Sequence, residues 1–412
     1  MVLIGRASSM EIQQKHIPQL RFPEFKNDEN WEVAKVGDVI KTITPPKKLN
    51  SSEYKKTGKY PIIDQSQCYI CGYSDDDDAL MNHNNEDLIV FGDHTCVLKF
   101  VSFPFIQGAD GIKIIKSKDS NKLVESFLFQ SLQNNPVVSR EYKRHFSELK
   151  ENEFCFSNRI AEQRKIASCL FSMDAYISAT KEKLELLKAY KKSLMQKLFP
   201  AKGKTVPELR FKEFEKDGEW ELCSLETIFE IKNGYTPSKS NPKLWENGTL
   251  PWFRMEDIRL NGHILSDSIQ HITPEAVKGS GLFPAYSIIV ATTATIGEHA
   301  LLIVDSLANQ RFTFLTKRKS FDEKLDMMYF HYYMFIVDEW CKCNTNSGGL
   351  LSVNMPAFKK LRIPYPSNVD EQRKIADSFT SIDEMIKQYT NKATFLELYK
   401  KGLMQQMFPT SK

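Results

Sequence analysis

The chain has 412 residues, 41% apolar and 26% charged, with a formal net charge of +4. That length predicts two to three domains, the composition is that of a soluble globular protein, and the small charge excludes a polybasic tail, so any nucleic-acid surface must be a local patch. No run of about 18 apolar residues exists to cross a membrane, Val2-Leu3-Ile4 is too short an apolar stretch for a signal peptide, and eight cysteines in so long a chain make no disulfide scaffold, so a reducing cytoplasm is expected.

In chain order, residues 1–17 read as a loosely structured lead-in and 18–158 as a first globular segment. There Leu88-Ile89-Val90-Phe91 and Ile112-Lys113-Ile114-Ile115 predict short strands, with turns at Gly92-Asp93 and Ala109-Asp110-Gly111. Residues 159–200 predict a long helix. Its apolar or small positions are Ile166, Leu170, Met173, Ile177, Thr180, Leu184, Leu187, Leu194 and Leu198, a heptad seam. Residues 201–367 form a second globular segment. Ser287-Ile288-Ile289-Val290 and Arg311-Phe312-Thr313-Phe314-Leu315 predict strands, Asn233-Gly234 a turn, and Leu325 to Trp340 a helix. Residues 368–412 repeat the long helix, with Ile375, Phe379, Ile382, Ile386, Tyr389, Ala393, Leu396, Leu403 and Met407 each 209 residues after its counterpart. Pro200 and Pro409 end the two helices. Seams of this length most simply bury each other; the plainer alternative packs each helix on its own globular segment.

The chain is one unit written twice. Glu162-Gln163-Arg164-Lys165-Ile166 returns as Glu371-Gln372-Arg373-Lys374-Ile375. Pro18-Gln19-Leu20-Arg21-Phe22 returns as Pro207-Glu208-Leu209-Arg210-Phe211 at an offset of 189, which Trp31 and Trp220 keep. The expected fold is α+β, with two mixed domains separated by two long helices paired as an antiparallel coiled coil under pseudo-two-fold symmetry. Two similar, unequal units suit a partner that is itself nearly two-fold symmetric, and duplex DNA leads.

No catalytic constellation survives scrutiny. Gly203-Lys204-Thr205 ends like a phosphate loop, but Leu198 stands where the first glycine belongs. Cys68 and Cys71 with His94 and Cys96 could form a zinc set, and Cys341-x-Cys343 has the wrong spacing for one; small core or surface residues explain them better. Asp75 to Asp78 lacks the alternating ligands and glycine of a calcium loop. No metal is expected. What remains suits DNA. Lys47, Lys48, Asn50, Asp93, His94 and Gln107 are candidate contacts in the first segment. In the second they are Asn233, Tyr235, Thr236, Lys239, Arg254, Thr292, Thr293, Thr295, Gln310, Asn344 and Ser347. Lysine neutralises phosphates, and asparagine or glutamine bonds base edges.

The repeated E-Q-R-K-I-A opening, the heptad helix with its Phe-Pro stop, the P-x-L-R-F start and Ile363-Pro364-Tyr365-Pro366 resemble the specificity subunit of Type I restriction-modification enzymes over nearly the whole chain. One departure is visible: Phe154-Cys155-Phe156-Ser157 lacks both prolines of the second copy. The resemblance implies that each domain reads one half of a bipartite, asymmetric DNA target and that the helices set the gap. One heptad inserted near Glu182 should lengthen the tolerated spacer by about three base pairs. It implies a subunit with no catalytic site and no cofactor of its own. It would dock two methyltransferase subunits and, through them, the restriction-motor subunits, on which S-adenosylmethionine, ATP and Mg would be bound. Glu162, Gln163, Arg164, Glu371, Gln372 and Arg373 are the expected docking residues, because a solvated face has no need to repeat three polar residues in order. The rival readings are a coiled-coil protein-binding scaffold without DNA specificity and a self-contained nuclease, for which clustered metal-binding carboxylates are wanting.

Overall fold

The computed structural model describes residues 16–81, 86–139, 143–279, 281–346 and 351–409. The fold is mixed α/β and falls into two compact units. One comprises the described residues through Glu182 together with those from Tyr389 onward; the other is Lys183–Gln388. Each unit holds one globular domain and part of both long helices, the central helix Ile160–Leu198 and the distal helix Val369–Met407.

In the first unit, Glu32–Lys35 pairs antiparallel with Glu153–Phe156 at the foot of the domain. A four-stranded antiparallel sheet follows the order Ile40–Ile43, Ile112–Ser117, Leu88–Gly92, Leu98–Val101. Leu88–Gly92 is buried along its full length, which is why it reads as a continuous apolar run rather than an alternation. A second sheet runs Gly72–Ser74, Tyr60–Ile63, Phe105–Gln107, Leu80–Met81. The helix Glu125–Asn134 brings Phe127 against Trp31, with ring centroids 5.6 Å apart.

The second unit repeats this plan. Glu221–Ser224 pairs with Arg362–Tyr365, and the domain's main sheet runs Phe229–Asn233, Phe312–Lys317, Ser287–Ala291, His299–Leu302, Ile264–Leu265. The prolines missing from the first copy change nothing in the ribbon: Ala34 faces Phe154 as Cys223 faces Ile363. The offset between copies grows stepwise. It is 189 at Ile40 and Phe229, 190 at Tyr60 and Leu250, 199 at Leu88 and Ser287, 200 at Ile112 and Phe312, and 209 at Glu153 and Arg362. The largest steps have structural causes. Helix Met255–Asn261 and strand Ile264–Leu265 fill the longer connection after Leu250–Phe253, and the helix Met327–Cys343 has 17 residues where its counterpart has 10. That helix starts two residues later than Leu325 because the Asp326 carboxylate caps it, accepting from Tyr329 N at 2.9 Å.

Within each unit the two long helices lie side by side and run antiparallel. In the first, Asp174 meets Lys400 at 2.5 Å and Lys181 meets Glu397, while Ile166, Leu170, Met404 and Met407 share one core with Trp31. In the second, Lys191 meets Asp383 at 2.6 Å, and Phe199 stacks on Phe379 with centroids 5.6 Å apart. The plainer alternative also holds at the seam ends, since Ile166 and Leu170 join the first domain's core and Ile375 and Phe379 the second's. Ile177, Leu184, Leu187, Leu198, Ile382 and Leu396 are buried, and Met173, Leu194, Ile386 and Leu403 half-buried. The start motif of each domain closes the end of a helix: Leu20 N donates to Gln406 O, and Leu209 N to Lys197 O, both at 2.9 Å. These bonds satisfy last-turn carbonyls that have no partner within the helix.

Candidate nucleic-acid interface

The repeated Glu-Gln pair is buried, not presented to solvent as expected. Glu162, Gln163, Glu371 and Gln372 have no exposed surface, so none of them is a docking residue. Glu162 receives both arms of the Arg21 guanidinium at 2.7 and 2.8 Å, and Ser157 Oγ donates to it at 2.5 Å. Gln163 Nε2 donates to the carbonyls of Lys122 and Ser157, and its Oε1 accepts from Val124 N. In the second copy Arg210 grips Glu371 at 2.7 Å twice, and Gln372 bonds Lys324 O, Pro366 O and Asp326 N. The two sequence motifs are therefore halves of one clamp that fixes a domain to the helix following it. Burial requires every polar atom to be matched, which is why both halves repeat in full. Only Arg164 and Arg373 of the six are exposed.

In the second domain a groove of about 370 Å³ gathers Thr236, Lys239, Arg254, Thr295 and Gln310 of the expected DNA contacts. It adds Arg259 and Arg311, which sequence reasoning missed, giving four cationic side chains against one carboxylate, Glu256. The loops that build it are tightly held. Gly234 admits no side chain, because a β-carbon there would lie 2.3 Å from Ala308 O; close approach, not a hairpin turn, explains the glycine. Thr236 Oγ1 donates to Gln310 Oε1. Tyr235 OH is fixed between Ala276 O and Lys278 N, and Asn233 accepts from Thr313 Oγ1. Ala294, next to Thr295, sits at φ 66°, a left-handed conformation costly for a residue with a β-carbon. Asn233, Tyr235, Thr292, Thr293 and Asn344 do not line the groove. Thr292 is buried, its hydroxyl on Thr313 at 3.1 Å, and Asn344 caps its own helix through Trp340 O. Thr293 forms a β-bridge with Ser352. Ser347 lies outside the described residues.

The first domain assembles the equivalent loops differently. Residues at the matching places are Lys47 and Lys48 for Thr236 and Pro237, Asp64 for Arg254, and Asp110 and Gly111 for Gln310 and Arg311. Lys48 bonds Asp110 at 3.0 Å, and a β-carbon on Gly111 would meet Gln65 and His94, so these side chains converge. Lys47 pairs with Asp76 at 2.6 Å, and Lys55 and Lys59 with Asp75 and Asp77. The acidic run is thus a counter-charge for the lysine loops, and the hydrogen bond from Lys47 holds the Asp76 carboxyl below its ordinary range. Asn50 is exposed and bonds Glu53 through its backbone. Asp93 and Gln107, expected as contacts, are not exposed. Asp93 is buried, accepting from Phe146 N at 2.8 Å, and Gln107 is buried in its strand. Both hold the loops rather than meet a ligand.

Cys71 donates to Asp64 Oδ1 at 2.8 Å, and Lys99 Nζ bonds the Asp64 and Cys68 carbonyls. Among the described residues no group of three or more His, Cys, Asp or Glu side chains could hold a metal ion, and no helix is long and apolar enough to cross a membrane. One buried polar cluster escaped the sequence reading. His299 bonds Asp338 at 2.5 Å beside His263 and His331. Burial, then the neighbouring His299 and His263, push the His331 pKa well down, and burial pushes Asp338 up.

Fold and site define a duplicated α/β protein whose two domains carry unlike polar side chains at matching loop positions. The family model for the Type I restriction modification DNA specificity domain matches twice, at residues 28–189 and 217–395. The chain belongs to that family, whose role is DNA sequence specificity, and it carries two copies of the domain. It is 48% identical over 170 residues to the Type I restriction enzyme EcoprrI specificity subunit of Escherichia coli, a match covering 41% of this chain and 42% of that relative. It is 25% identical over 375 residues to the EcoR124I/EcoR124II specificity subunit of the same organism, covering 86% and 87%. The S subunit of M. genitalium shares the fold, with a TM-score of 0.62 at 16% identity over 96% of this chain and all of that one.

Proposed function

We propose that each domain of this chain takes one half of a bipartite, asymmetric DNA target. The observation that carries the reading is the repeated loop set: equivalent loops converge in both domains, with unlike side chains at matching places, and in the second domain they line a groove. A scaffold that binds protein alone has no need of four cations in one groove. Phosphate contacts would set register and base-edge contacts sequence. Methyltransferase subunits and, through them, restriction-motor subunits are the proposed partners. S-adenosylmethionine, ATP and Mg would be bound on them, in the cytoplasm.

The docking surface is reassigned from the buried Glu-Gln pair to exposed apolar residues on the helices. Leu186 and Tyr190 of the central helix are 60% and 56% exposed. Phe395 and Tyr399 of the distal helix, 209 residues later, are 63% and 50% exposed, and their rings stack at 5.9 Å. An exposed apolar set repeated at the offset of the helices suits two copies of one partner.

Genome-wide methylation mapping tests the reading in cells carrying this chain with its neighbouring methyltransferase gene. The expected result is a bipartite methylated motif that disappears with the chain. Unchanged methylation would overturn it. Leu186→Glu with Phe395→Glu should abolish that methylation while leaving binding to the mapped DNA intact.

A further inference from the structure

The floor of the second-domain groove is built around one arginine. Arg254 ends the strand Leu250–Phe253 and opens the helix Met255–Asn261. Its backbone N–H donates to the buried Asp257 carboxylate at 2.6 Å, and the same carboxylate accepts from Ile269 N. The main chain at Arg254 is thereby fixed whatever its side chain does. The guanidinium lies 6.0 Å from the ring centre of Trp252, itself buried and held by an Nε1 bond to Tyr235 O. Arg254 Nε is buried with no hydrogen-bond partner among the described residues, and its acidic neighbour Glu256 stands 3.9 Å away, beyond hydrogen-bond reach. An arginine held over a locked aromatic, with a buried and unpartnered Nε, has lost rotamer freedom before any ligand arrives.

The matching position in the first domain shows the opposite condition. Asp64 there is consumed internally, accepting from Ser66 N, Cys71 Sγ and Tyr54 OH. The scaffold position is common to both domains, and the chemistry offered from it is not.

We infer that Arg254 reads a guanine in the half-site taken by the second domain, donating from its guanidinium to O6 and N7 on the major-groove edge. The fork geometry of arginine matches that pair of acceptors, and no other base presents two acceptors there. Exposed Arg259 stands in the same groove and supplies phosphate contact. The assignment rests on the DNA-reading role proposed above.

The test uses the full chain with its methyltransferase subunit. Methylation is mapped for wild type, Arg254→Ala, Arg254→Lys and Arg259→Ala. Each is then measured for binding to an oligonucleotide of the mapped target and its single-base variants over a range of salt. The inference expects Arg254→Ala to relax one G·C position in one half-site and leave the other half unchanged. Discrimination there should fall from about 5- to 150-fold towards none. Lysine, a point charge without the fork, should not restore it; it also serves if the alanine variant folds poorly. Arg259→Ala should weaken all sequences alike and lower the salt slope by about 0.9. Uniform weakening by Arg254→Ala with an intact motif would make Arg254 a phosphate contact and overturn the inference, as would relaxation at an A·T position. A wild-type chain that directs no bipartite methylation would instead refute the DNA-reading role on which it stands.

Discussion

The two domains share a frame and differ at its rim. Both carry the ribbon, the arginine–glutamate clamp and a sheet that places three loops together. In the first domain Lys47 and Lys48 are each matched by an aspartate, and Asp64 is spent on its own loop. In the second, Lys239, Arg254, Arg259 and Arg311 share one groove with Glu256. The difference teaches that the chemistry offered by the loops can change by residue replacement while the buried polar clamp, which tolerates no partial matching, stays constant.

The clamp should give the largest effect and the test of sameness. Glu162→Ala and Glu371→Ala each strand a buried arginine, and each should cost about 3–5 kcal/mol of stability. Chemical unfolding should show comparable losses for the two; a loss for one alone would break the equivalence. Next comes a position where the copies differ. Gly234→Ala should cost about 1–3 kcal/mol, because the new methyl meets Ala308 O. The matching residue in the first domain is Pro45, which already carries a β-carbon, so Pro45→Ala should cost less.

Acid should separate the units as well. His331 has its pKa lowered by burial, so the folded second unit stays neutral there while the unfolded chain takes a proton below about 6.5. Stability contributed by the neutral ring is present above that pH and lost as pH falls, by up to about 1.4 kcal/mol per pH unit. Asp338, raised by burial, acts oppositely, losing stability as pH rises from its ordinary 3.8 towards its folded value. Unfolding curves between pH 7 and 5 should therefore show a falling stability that His331→Gln flattens.

The smallest effects concern DNA affinity at the rim. Lys239→Ala and Arg311→Ala should each reduce the salt slope by about 0.9. Lys47→Ala should reduce it less, since Asp76 already competes for that ammonium. Asp76→Asn with Asp110→Asn should tighten nonspecific binding modestly, a gain that titration at low salt would reveal.

The heptad positions and the strands Leu88–Gly92 and Ser287–Ala291 were legible along the chain because their periods are local. So was the duplication, since offsets survive in sequence whatever the fold. The meaning of the Glu-Gln pair was not. Arg21 and Glu162 are 141 residues apart, and a repeated polar triplet looks the same whether it faces solvent or an arginine. The groove was half legible: Arg254 and Gln310 were flagged as polar loop residues, while Arg259 rode on a helix without a counterpart in the first copy.

Sequence alone determined the repeat, the two long helices, their proline stops and the family, because short-range periodicity and fixed spacing need no third dimension. Only the tertiary structure decided which polar residues are buried and which arginine lies over Trp252 with an unpartnered Nε, because burial and hydrogen-bond satisfaction depend on neighbours that chain order does not bring together.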